Sequence, residues 1–210
     1  MHVIFNDNPI ELETAENPTF GDLVEEAERF ACDHGKIITQ ITLNGELITS
    51  EDEVTRRLDH CSCTDQINIL MDHPRNIIIA ALQEADKDIP GLVINLKSVA
   101  AHLQTGARRA AFSLFSECIE QWKQVINLFR IAESVLDVDS EALIIEGRTL
   151  DHIQSELLEL LIETKKSMQE DDAITLSDLL EYELVPNIKR QRDVIKCLTD
   201  IAEKSCVESK

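Results

Sequence analysis

DLLEYELVP, Asp178 to Pro186, reads as helix up to its last residue. Proline has no N–H, and its ring crowds the carbonyl one turn back, so a helix usually stops or bends there. If it stops, Leu180 and Leu184 belong to a short appendage. If it continues, they join Ile188, Gln191, Ile195, Leu198 and Ala202 in one apolar stripe, and the chain gains another long helix. A loop at Pro186 would lose that register. The spacing therefore predicts a helix that runs through the proline with a bend, and an interior proline costs about 3 kcal/mol relative to alanine.

Upstream, three further stripes step by four and three residues. Ile78, Leu82, Ala85, Ile89, Leu92, Leu96, Val99 and Leu103 form the first. Ala111, Phe115, Cys118, Trp122, Val125, Phe129, Ala132 and Leu136 form the second. Leu150, Ile153, Leu157, Leu160 and Thr164 form the third. Together the four predict an antiparallel four-helix bundle over residues 75–210. The first stripe keeps its phase across Pro90-Gly91, so one kinked helix is expected there. Gln104-Thr105-Gly106 supplies a tight reversal. The connection DVDSEALIIEGR is expected to be a longer loop, and Gln169 to Ala173 a short one.

The first 73 residues follow a different period. HVIFN is a strand, Asp7-Asn8 a turn, and PIELE a second strand. Thr19, with Asp22 three residues on, signals a helix start. Phe20, Leu23, Val24, Ala27, Phe30 and Ala31 have helical spacing, and Gly35 closes the helix. IITQITLN and ELIT flank Asn44-Gly45, a strong hairpin signal. Ser50 is expected to cap a short turn before a final strand, QINILMD.

This order of strand, strand, helix, strand, short strand, short helix, strand resembles the β-grasp, or ubiquitin-like, fold. ITLNGELI looks like the hairpin that this fold places after its helix. The resemblance is one of topology over about 70 residues, and it implies an interaction module. No diglycine ends the segment, so it gives no support for a conjugated modifier. The expected fold class is α+β, a β-grasp module at 1–73 followed by the bundle. In the helical part, LLIETKKSMQEDDAITLSDLLEYELVP, with LQTGARRAAFSLF upstream, resembles a group of uncharacterised bacterial proteins whose last helix carries D-L-L-E-Y-E-L-x-P. That likeness implies architecture and no activity. In shape the bundle is also similar to the flagellar export chaperones, an analogy of fold alone.

Composition narrows the possible functions. The 210 residues carry 40 acidic and 20 basic side chains, a formal charge of -20. Residues 1–74 hold 16 of the acids and only 4 of the bases. Such a chain repels phosphate backbones, which argues against nucleic acid and leaves a basic or amphipathic protein as the expected partner. MHVIFNDNPIELE has neither the basic start nor the apolar run of a signal peptide, and no stretch reaches the length of a membrane span. A cytoplasmic protein is expected.

No catalytic residues, metal ligands or cofactor are predicted. His60-Cys61-Ser62-Cys63, with Cys32 and His34, has one residue between its paired cysteines where zinc sites want two to four. In a β-grasp, Cys32 and His34 would lie at the far end of the helix from the 60–63 loop. All six cysteines, Cys32, Cys61, Cys63, Cys118, Cys197 and Cys206, are read as free thiols. Asp137 to Glu141 opens like a calcium loop, but Ala142 and Arg148 stand where that loop needs glycine and glutamate. There is no Glu-x-x-His pair, no G-x-S-x-G elbow and no glycine-rich phosphate loop.

What remains is the opening stretch. Leu180 and Leu184 point to the core, whereas Asp178, Glu181, Tyr182 and Val185 should point to the flanks and outer face. On one reading the bend packs Tyr182, the sole tyrosine, against another element. On the other, Asp178, Glu181, Tyr182 and Glu183 bind a partner. The leading functional expectation is a non-enzymatic bacterial adaptor or chaperone-like protein. An enzyme or small-ligand binder with a site between the two parts, and a structural homo-oligomer, are the alternatives.

Overall fold

The computed structural model describes residues 2–10, 18–62, 65–170 and 172–207. The fold is α+β, and the chain divides into two compact units, Met1–Ile77 and Ile78–Lys210.

Among the described residues, the first unit is a five-stranded sheet with two helices. Its strands are β1 (His2–Phe5), β2 (Asn8–Ile10), β3 (Ile37–Leu43), β4 (Glu46–Leu47) and β5 (Gln66–Asp72), in spatial order β2-β1-β5-β3-β4. β1 runs parallel to β5, with Val3 opposite Ile67 and Phe5 opposite Ile69. The other pairs are antiparallel. The turn between β1 and β2 is Asn6-Asp7, both with positive φ, and not Asp7-Asn8. The reason lies 65 residues away in sequence: Asn6 Nδ2 donates to the Met71 carbonyl and Asn6 Oδ1 accepts from Met71 N–H, both at 2.9 Å. The side-chain amide thus extends the ladder to β5 by one rung. Residues 11–13, expected to prolong β2, lie outside the described residues.

Helix α1 (Phe20–Asp33) begins at Thr19, which forms a complete capping box with Asp22. The Thr19 N–H and hydroxyl both donate to the Asp22 carboxylate and hold its pKa below the usual range. Helix α2 (Ser50–Arg56) is capped by Thr49 paired with Asp52, so Ser50 is its first residue and not its cap. Phe20, Leu23, Val24, Ala27 and Ala31 of α1 share one core with Val3, Phe5, Ile67, Ile69 and Met71 of the sheet. Gly21 is needed where α1 meets the end of α2. A Cβ there would stand 2.8 Å from the Arg57 carbonyl oxygen, to which Gly21 N–H donates at 3.0 Å.

The second unit is helical. It contains α3 (Pro74–Gln104, whose first turn belongs to the first unit), α4 (Arg108–Leu136), α5 (Leu150–Gln169), α6 (Ala173–Asp178), a π-helical turn (Leu179–Leu184) and α7 (Val185–Val207). α3 runs unbroken through Pro90. Every residue of the first, second and fourth stripes is buried in one continuous core. In the third stripe Leu160 is half-buried and the rest are buried. Gly106, at φ +79°, allows the reversal from α3 to α4. The long connection after α4 carries a small hairpin, β6 (Ile144–Ile145) with β7 (Arg148–Thr149), turned at Glu146-Gly147 with φ of +50° and +81°. The hairpin's Ile145 is buried.

Two ionic groups tie α7 to its neighbours. Arg192 grips Asp86 of α3 through both carboxylate oxygens, each at 2.7 Å. Glu156 of α5 accepts from Arg190 at 2.7 Å and from Arg148 at 2.8 Å.

Two outcomes are expected. Trp122 is 1% exposed, and its Nε1 has no hydrogen-bond partner among the described residues. Trp122→Ala should destabilise the protein by about 3–5 kcal/mol in urea titrations, because the void costs far more than the orphaned N–H returns. Hydrogen bonding from Arg192 lowers the Asp86 pKa in the folded state. The stability this contributes is therefore fully present above the unfolded carboxylate pKa of about 4 and is lost as the pH falls through the lower folded value. Asp86→Asn should lower the urea midpoint at pH 7, and the difference from the parent should shrink as the pH is taken down through that window.

Candidate partner-binding site

The opening stretch is helical throughout, and the chain passes Pro186 through a change of helical register. Val185 N–H donates to the Leu180 carbonyl, five residues back, where an α-helix would pair it four back. Side-chain spacing accounts for this. Leu176, Leu180, Leu184 and Ile188 are all buried, and each lies four residues from the next. An α-helix would carry the last of them about 120° round from the first. One extra residue in a π turn takes back about 100° of that rotation, and the four side chains stay on the core. Pro186 brings no N–H, so the ladder has an empty rung here in either register, and a wider turn relieves crowding by the ring.

The π turn also settles which side chains face water. Leu180 and Leu184 are fully buried. Val185, expected on the outer face, is buried beside Leu184, and its N–H pairs with the carbonyl of buried Leu180 one wide turn back. Asp178, Glu181 and Glu183 are exposed. Tyr182 is 66% exposed, so the packed-tyrosine reading is corrected: its ring stands in solvent. The four candidate residues therefore lie on one helical turn and its approach, with an aromatic ring between carboxylates. The sequence carried a signal for the π turn in its three successive steps of four.

Below the turn the core is unusually polar. Asn187 and Gln191 are 2% and 1% exposed, and Gln191 Nε2 donates to Asn187 Oδ1 at 3.1 Å. Asn187 Nδ2 has no hydrogen-bond partner among the described residues. Buried Ser177 accepts from Gln104 Nε2 at 3.0 Å, which ties α6 to the end of α3.

The other candidate groups are dispersed. Thr19 pairs with His60 in an isolated bridge at the start of α1, whereas Cys32 and His34 lie at its end. Fourteen residues of helix separate the two by about 20 Å. His34 stacks on Phe30 with ring centroids 4.2 Å apart. Cys63 lies outside the described residues. Burial raises the pKa of the Cys61 and Cys197 thiols and takes that of Cys118 to about 11. Among the described residues no three His, Cys, Asp or Glu side chains stand together as a metal site, and no helix is long and apolar enough to cross a membrane.

If spacing and not the proline ring dictates the wide turn, Pro186→Ala should keep it. The five-back pairing of Val185 should persist in NMR hydrogen-bond or NOE patterns. Stability should rise by less than the roughly 3 kcal/mol typical of removing an interior proline, because the π turn already absorbs part of the cost.

The chain is 22% identical over 199 residues to an uncharacterized protein of Treponema pallidum (strain Nichols), an alignment that takes in 93% of this chain and 96% of that one. No solved structure matches it. A family model described as Domain of unknown function (DUF8042) matches residues 80–194, more than half of the chain. The match begins in the second turn of α3 and takes in the whole π turn, and the chain belongs to the DUF8042 family.

Proposed function

We propose that this protein is a non-enzymatic, cytoplasmic adaptor or chaperone-like protein that binds another protein through the π turn. The observation that carries the reading is Tyr182. It is the sole tyrosine, it is 66% exposed, and Asp178, Glu181 and Glu183 surround it in sequence on exposed positions. An aromatic side chain offers a large contact area at low entropic cost and is enriched among binding hot spots. The carboxylates and the net charge of -20 favour a basic partner and would steer its approach.

The architecture is read in the same way. The sheet order β2-β1-β5-β3-β4, with parallel β1 and β5 at its centre and α1 on its core, supports a β-grasp module serving as an interaction surface. Counting α6, the π turn and α7 as one helix supports reading the helical unit as an antiparallel four-helix bundle. No cofactor has a role in this proposal.

Affinity capture from the native host tests it. Tyr182→Ala removes an exposed ring, so stability should move by no more than about 0.5 kcal/mol. Partner recovery per folded molecule should fall sharply. Glu181→Lys and Glu183→Lys should weaken recovery in the same direction. If Tyr182→Ala lowers stability and leaves recovery unchanged, the tyrosine is structural and the proposal fails.

A further inference from the structure

We propose that two copies of this chain pair through the α4–α5 face of the helical unit, each seating Leu158 and Ile162 of α5 in the recess between α4 and α5 of the other. The face uses none of the π-turn residues, and the pairing holds whether or not Tyr182 binds a partner.

Besides its core stripe, each of the two helices carries a second row at steps of four and three. On α4 the row is Phe112, Ser116, Ile119, Lys123, Ile126 and Arg130, ending at Glu133. On α5 it is Gln154, Leu158, Leu161, Lys165 and Met168. The two rows meet. Gln154 Nε2 donates to Glu133 Oε1 at 2.6 Å, and Ile119, Leu161, Lys165 and Met168 line one recess of about 340 Å³ between the helices. Phe112, Ile119, Ile126, Leu161 and Met168 are half-buried. Leu158 and Ile162, one turn apart, are each 60% exposed, so they project where the neighbouring side chains do not. A projection and a recess therefore lie side by side on one face. Two-fold pairing needs that arrangement, because the same patch must serve as both halves of the interface.

Charge selects the occupant. The acids of α5 form a different row, Glu156, Glu159 and Glu163, and that row belongs to the α7 side, where Glu156 accepts from Arg190. On the α4–α5 face three cations, Lys123, Arg130 and Lys165, stand against two acids, Glu120 and Glu133. Glu120 is held by Lys123 at 2.6 Å, and Glu133 by Gln154. The face is thus close to neutral in a chain of -20. A second copy brings the same near-neutral face, and the acid row of each copy stays on another side. A basic partner of the kind the π turn favours would meet an excess of cations, and a strongly acidic one would find only a single net charge to answer. Size agrees. From Gln154 to Met168 the α5 row rises about 21 Å, and two helices about 8–10 Å apart present a width of about 20 Å. The flat footprint is about 400 Å², and the ridged surface over it is larger, near the roughly 600 Å² per partner at the lower end of specific interfaces.

The test uses the full chain in reducing buffer, followed by sedimentation equilibrium. The mass should rise with concentration from 23.7 kDa toward twice that value, with a Kd on the order of 10 μM. Two chains of like net charge repel over the Debye length, so the dimer should tighten as salt rises from about 20 mM to about 0.5 M. The double substitution Leu158→Glu with Ile162→Glu lies on exposed positions, and circular dichroism should show an intact fold. It should weaken pairing at least about tenfold. Ile94→Glu, on an exposed position of α3, and Tyr182→Ala should each leave pairing unchanged. The inference is overturned if the chain is still monomeric at about 200 μM, if the α5 double variant pairs like the parent, or if salt dissociates the dimer. A monomeric chain whose α5 double variant loses partner recovery in affinity capture would place an external protein on this face and overturn self-pairing. Loss of the dimer in Ile94→Glu or Tyr182→Ala, but not in the double variant, would overturn the choice of face. Capture through Tyr182 stands or falls by its own variant in every case.

Discussion

A helix can hold Leu176, Leu180, Leu184 and Ile188 against one core only if it turns more slowly than an α-helix, and the end of this chain is arranged around that constraint. The four side chains are among the most buried in the protein. A regular α-helix from Ala173 onward would have to swing either the leucines before Pro186 or the isoleucines after it toward solvent. Each such side chain is worth about 1.5–3 kcal/mol in burial. Against several of them, one widened turn is the smaller cost. The constraint sits where proline has already emptied a rung of the ladder, so the wide turn and the missing N–H fall together. The exposed, carboxylate-flanked tyrosine follows from the same geometry, because it occupies the outer arc of the turn.

Acidic residues outnumber basic ones two to one, yet several of the carboxylates are structural. Asp22, Asp52 and Asp172 each accept hydrogen bonds at the start of a helix, and each is held below the usual carboxylate pKa by those bonds. A folded-state pKa below the unfolded one contributes stability above about pH 4 that is lost on acidification. The same carboxylates therefore serve solubility at neutral pH and local structure at three helix starts. Cations are spent on specific partners: Arg192 on Asp86, and Arg190 with Arg148 on Glu156. Much of the remaining surface is left with a negative field, which is what gives the π-turn surface its preference for a basic ligand.

Much of the architecture was legible because it is periodic. The four-three steps of α3 and α4 name sixteen residues, from Ile78 to Leu103 and from Ala111 to Leu136, and all of them are buried. The Thr19–Asp22 capping box is local, and it forms. The choice between Thr49 and Ser50 as the next cap was not legible, since Thr49 has Asp52 and Ser50 has Glu53 three residues on, and both pairs satisfy the same rule. The hairpin in 144–149 was hidden because two-residue strands carry no periodic signal. In the candidate site, the outward direction of Asp178, Glu181 and Tyr182 could be read from the stripe, but whether the Tyr182 ring would pack on a neighbour, and the burial of Val185, could not.

The sequence by itself determined which residues are apolar, at what period they recur, and where a helix can begin or reverse. These are consequences of side-chain chemistry and short-range geometry, and they need nothing beyond a few neighbouring residues. Tertiary structure decided the register. It placed the first turn at Asn6-Asp7, because Asn6 bonds to Met71 on another strand. It chose five-residue over four-residue pairing at Leu180, because the core has to be met on both sides of Pro186. It turned Tyr182 to solvent and Val185 inward, because a wide turn divides its residues between core and water differently from a narrow one. In each case the deciding partner lies far along the chain or across the core, where no local pattern can specify it.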